Sequence, residues 1–218
     1  MFLFLLTAVP IAYLLLLNVT RQVNQPLAFT LIAFIKGMLA FLPVLVVVMA
    51  LDYAIPYQFN AGPLYLRYTL LPIGMPLAAV TLGALILIRG VVRSDLGGAV
   101  TAALSFLCGF YTVAGVVDTV ANIGQTDPYV LFLLPVTRLV MVLLLPFLFV
   151  TLYRGVGVWR LANALAIAAM PFVLGSVPLL YRVGFREWAI AAAAGLFFAS
   201  AVMYVRFVLG RLPVGRGS

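Results

Sequence analysis

Residues 133–150 read LLPVTRLVMVLLLPFLFV, a run that would cross a bilayer without comment but for one side chain, Arg138. A spanning helix needs roughly 20 mostly apolar residues, because the hydrocarbon core is about 30 Å thick and each residue rises about 1.5 Å. A charge near the centre of such a helix costs about 2.5–3.5 kcal/mol on insertion scales. The stretch therefore sets the fold class, helices in lipid, and raises the question of what answers the guanidinium.

The same apolar signature recurs along the chain. Seven segments qualify as spans: about 1–18, 27–51, 68–89, 97–121, 129–152, 161–180 and 188–209. The expectation is an all-α bundle of seven transmembrane helices forming a single membrane domain over 1–218, with no segment long enough for a soluble domain. Composition agrees: 66% of residues are hydrophobic and only 8% charged, against about a quarter charged in a soluble domain. The first segment, MFLFLLTAVPIAYLLLL, lacks a basic leader and a clean small-residue cleavage site, so it reads as a retained span.

Charge sets the orientation. The chain carries 13 basic and 5 acidic residues, a net charge of +8. That excess would suggest nucleic acid in a soluble protein, but here the arginines fall between apolar runs, so nucleic acid is not an expected partner. Odd-numbered loops and the C-terminus hold eight of them (Arg21, Arg89, Arg93, Arg154, Arg160, Arg206, Arg211, Arg216), and even-numbered loops hold three (Arg67, Arg182, Arg186). The positive-inside rule then places the N-terminus outside and the C-terminus in the cytoplasm of a bacterial inner membrane. Tyr53, Tyr57, Tyr65, Tyr68, Tyr181 and Trp188 would belt the outer edge, and Tyr153 and Trp159 the inner. The longest connection, 52–67, is weakly polar and reads as lying along the outer interface.

The fourth span carries the most regular polar pattern. Ser94, Gly98, Thr101, Ser105, Cys108, Thr112, Gly115, Thr119, Asn122 and Thr126 recur at steps of four and three, which keeps them on one helical seam. Small, weakly polar seams serve close helix packing; the competing reading is the lining of a hydrated path. The other positions suit lipid or apolar neighbours. Gly74–Ala78 and Ala191–Gly195–Ala199 repeat the small-residue spacing, as further packing seams.

Asp118 borders that stripe. The fourth and fifth spans form a hairpin through NIGQTDP, and with a turn near 126–130 Asp118 lies about ten residues before it and Arg138 about ten after. At about 1.5 Å per residue the two charges reach the same depth. A buried Asp118–Arg138 pair is the expected answer to the opening question, either as a pin on helix register or as part of a path. Lys36, inside the second span, is the other intramembrane charge; it either snorkels to the headgroups or faces the bundle, and Ala33, Gly37 and Ala40 leave room for a close neighbouring helix. Eight prolines inside spans, Pro72 and Pro76 among them, each remove a donor and free a carbonyl one turn earlier.

Much chemistry is missing. There is no His and a single Cys, so the usual zinc, haem and non-haem iron ligand sets and imidazole catalysis are absent, and no cofactor is expected. Asp52, Asp95, Asp127 and Glu187 sit at loop or interface positions far apart in sequence, without the close acidic motif of lipid-phosphate transferases. The last span has no lysine for a retinal Schiff base. The expected function is not enzymatic: a permease or channel, or the membrane-embedded subunit of a transport assembly. The candidate polar site is Asp118, Arg138, Asn122, Thr112, Thr119 and Lys36. The alternative is a non-transporting scaffold or anchor of an envelope complex, and a lipid-modifying enzyme stands behind both. Expected partners are the bilayer and other membrane subunits or further copies of the chain.

Overall fold

The computed structural model describes residues 9–14, 27–55, 61–89, 96–122, 124, 127 and 129–209. Among the described residues every regular element is helical. Helix α1 is Leu27–Ala54. Helix α2 runs through Ala61–Tyr65, a wide π-helical stretch Leu66–Gly74, and Met75–Ile88. Helix α3 is Leu96–Ala121; α4 joins a π turn at Tyr129–Leu133 to Leu134–Arg154. Helix α5 is Val158–Arg182, and α6 is Arg186–Met203 with a π-helical end at Tyr204–Leu209.

Six of these helices are long and apolar enough to cross a membrane, matching the second to seventh expected spans. Large apolar side chains cover their outward faces, for example Leu31, Ile35, Leu39 and Val46 on α1 and Ile190, Phe198 and Val202 on α6. A soluble monomer rarely exposes apolar surface on that scale, so the chain is a multi-pass membrane protein. Of the expected first span only residues 9–14 fall among those described. They are helical, with Ile11 and Leu14 buried in the core and the Cys108 thiol directed at the Ile11 carbonyl, 3.8 Å away.

One boundary corrects the sequence reading. Residues 61–67, expected along the interface, are helical and extend the third span. AGPLY is apolar, and a proline early in a helix sacrifices only a donor that has no intrahelical partner there. In the fourth span, whose positions off the stripe suit lipid or apolar neighbours, apolar neighbours take them from Gly98 to Tyr111, where every residue is buried. It is the central helix, wrapped by α1, α2 and α4.

The closest helix crossing lies between α1 and α3. A Cβ on Gly37 would collide with the Phe106 carbonyl, and a Cβ on Gly109 with the Phe34 carbonyl. Two glycines thus let two backbones touch, as small-residue membrane contacts do. Gly37 has the role its neighbourhood suggested, whereas Gly109 lies off the stripe. On α2, Gly83 leaves room for the Phe106 ring. Among the described residues the other small-residue seams stay open: Ala78 is exposed, and so are Ala191, Gly195 and Ala199 on α6, where a Cβ on Gly195 would meet nothing. Tyr53, Trp159 and Trp188 are exposed near helix ends as expected of interface belts, but Tyr181 is turned inward and buried.

Candidate functional site

Alternating helix directions bring the end of α1, the start of α2, the end of α3 and the start of α4 to one end of the bundle. Between them lies a cavity of about 210 Å³. Phe41, Val44, Leu45 and Val48 of α1, Leu71 and Pro76 of α2, and Val117 of α3 supply apolar walls. Four charged side chains join them: Asp52, Arg67, Asp118 and Arg138.

Arg138 is the buried member, with 5% of its surface exposed. Its Nη2 lies 3.4 Å from Asp118 Oδ2, the pairing expected from the hairpin. A second acceptor was not foreseen as its partner: Nη1 donates to the Pro72 carbonyl at 2.9 Å. Pro76 explains why that carbonyl is available. In an α-helix it would accept from the N–H of residue 76, and proline has none. The wide turn before Pro76 spreads the backbone further, with the Met75 N–H reaching back to Leu70. The guanidinium also stands over the Tyr111 ring, 5.7 Å from its centroid, and Tyr111 is fixed in turn by donating to Met141 Sδ at 2.7 Å.

Among the described residues, Arg138 Nε has no hydrogen-bond partner. A guanidinium offers five N–H donors, and two on one edge can hold a carboxylate in a two-point grip. Among the described residues that edge is engaged only by the long contact from Asp118. The Asp118 side chain is 20% exposed, so the acid is the looser half of the pair. Nearer the mouth, Arg67 binds Asp52 at 2.8 Å, with the Asp52 side chain half exposed. The two carboxylates, dispersed in sequence, therefore line one cavity.

The other candidate residues lie apart from this lining. Thr112 donates to the Cys108 carbonyl, Thr119 to the Gly115 carbonyl and Asn122 to the Asp118 carbonyl, each at 2.7 Å and one turn back in its own helix. Such back-bonding satisfies a polar group inside lipid without a partner helix. Lys36 is exposed on the outer face of α1 among Ile32, Ile35 and Leu39, away from Asp118. Ser94 and Thr126 lie outside the described residues. A second polar cluster sits at the same end of the bundle: Tyr181 donates to Asp127 at 2.9 Å, Arg182 approaches Asp127 at 3.5 Å, and Arg186 stands over the Tyr181 ring. It ties α5 and the α5–α6 turn to the α3–α4 connection.

Asp52–Arg67 was hidden because both residues read as loop charges flanking a stretch with no helical pattern. The Pro72 carbonyl had a signal, proline at position 76, but nothing in the sequence pointed it toward Arg138. Compared with protein-family profiles, curated proteins and solved structures, the chain matches none.

Proposed function

We propose that this protein is a small permease-like membrane protein, and that the cavity between α1, α2, α3 and α4 is its binding site. The observation that carries the reading is a buried ion pair forming part of a cavity wall, with one arginine donor unused. A pair serving only as a register pin is best packed on all sides, because desolvation works against buried charges that lack full hydrogen bonding. Charges inside spans are candidate functional groups by default. Tight packing of α3 from Gly98 to Tyr111 favours a site reached from one end over an open pore. On the positive-inside count, that end faces outward in a bacterial inner membrane.

The test is water access from one face. In a Cys108→Ser background, Val117→Cys should react with a membrane-impermeant thiol reagent added on the outer face. Thr112→Cys should stay protected. A Val117→Cys protein unreactive from both faces would overturn the reading.

A second reading rests on a separate observation. Ala191, Gly195 and Ala199 form a small-residue seam on the outside of α6, and apolar hollows of about 410 and 420 Å³ flank that helix. Such a surface favours a membrane-embedded subunit that packs against a neighbouring helix of another chain, with or without transport of its own.

A further inference from the structure

We infer that the ligand of the α1–α4 cavity is a small aliphatic zwitterion, of the α-amino acid class, which binds by opening the Asp118–Arg138 pair. This rests on the cavity being a binding site, as proposed above, and adds the class of molecule. Three observations converge on it.

The first is charge balance. Two acids and two arginines line the cavity, each acid paired with an arginine. A ligand with net charge would leave an uncompensated charge in a largely apolar enclosure, which is strongly unfavourable. A molecule bearing one carboxylate and one ammonium adds none.

The second is the state of the pair itself. Arg138 is held from behind by the Pro72 carbonyl and the Tyr111 ring, so its position survives loss of Asp118. Its Nε is unpartnered among the described residues, and the Asp118 contact is long, at 3.4 Å. Asp118 thus occupies part of the edge that an incoming carboxylate would grip at two points. Once displaced, the Asp118 carboxylate needs a cation, and the ligand's ammonium supplies one. The protein's own ion pair is exchanged for two intermolecular ones.

The third is size and lining. A cavity of about 150 Å³ accommodates benzene, so one of about 210 Å³ suits about eight to ten non-hydrogen atoms. Phe41, Val44, Leu71 and Val117 offer an aliphatic body its apolar contact.

The experiment uses the purified protein in lipid nanodiscs and three probes that share a 3-methylbutyl group: L-leucine, 4-methylpentanoate and 3-methylbutylamine. Binding is read by calorimetry and by the shift in unfolding temperature. L-leucine should bind at least tenfold tighter than either half-molecule, since each lacks one charge contact. Asp118→Asn and Arg138→Gln should each weaken L-leucine at least tenfold. Val48→Phe, which fills part of the cavity from its α1 wall and leaves both members of the pair in place, should abolish binding in a protein that remains monodisperse. Because the last variant spares the pair, misfolding of the charge variants does not blunt the test. Equal binding of 4-methylpentanoate and L-leucine, blocked by Val48→Phe, would overturn the zwitterion and leave the site standing. Binding of none of the probes, with Val117→Cys still reactive from one face, would also overturn the ligand class alone. An unreactive Val117→Cys would remove the site and the ligand together.

Discussion

Arg138 resolves the difficulty it poses by collecting partial answers from two helices. An acid from α3, a carbonyl from α2 and an aromatic face from α3 share the guanidinium. Removing one member of a buried pair strands the other, and costs more than removing both. Asp118→Asn should therefore destabilise the protein by about 3 kcal/mol, and Asp118→Asn with Arg138→Gln should recover a large part of that loss. Thermal unfolding of the purified proteins decides it, and equal losses would count against the pairing. Asp118 opposite Arg138 was legible because hairpin geometry needs only residue counts. The Pro72 acceptor was not, since which way a freed carbonyl faces depends on how α2 rotates against α4.

At the scale of elements, the seams that pack are not those that look most regular. The stripe on α3 is real, yet its hydroxyls at Thr112 and Thr119 turn back onto their own helix, and the backbone crossing is made by Gly37 and Gly109. Single glycines in apolar helices carry little signal until the opposing carbonyl is known. Gly37→Ala should cost about 2–3 kcal/mol, because a methyl group there forces the Phe106 backbone away. Gly195→Ala, with open space beside it, should be neutral or stabilising by up to about 1 kcal/mol from helix propensity alone. Denaturant titration in micelles separates the two. If α6 packs on another subunit, Gly195→Leu should strip that partner during purification while leaving the fold intact.

For the whole molecule, six spans were readable from run length, since lipid leaves the backbone no alternative to helices or a closed barrel. The start of α2 was misread because an apolar segment rich in Tyr, Pro and Gly serves an interface and a helix start equally well. Orientation rests on loop arginines, and surface labelling checks it. In a Cys108→Ser background, Phe185→Cys on the α5–α6 turn should label from outside intact cells. Val156→Cys on the α4–α5 turn should label only after permeabilisation. The opposite pattern would invert the topology and turn the cavity mouth toward the cytoplasm.

The glycine crossing has a mechanical corollary. With backbone against backbone at Gly37 and Gly109, α1 and α3 cannot slide or rotate past each other without a clash, so they behave as one stiff strut. The opposite wall is α2, widened over nine residues from Leu66 to Gly74 and deprived of donors at Pro72 and Pro76. Compliance is thus unequally divided around the cavity: one side is a frame and the other a spring. Arg138, on α4, links the two through Asp118 of α3 and the Pro72 carbonyl of α2, so whatever loosens that arginine also releases the spring.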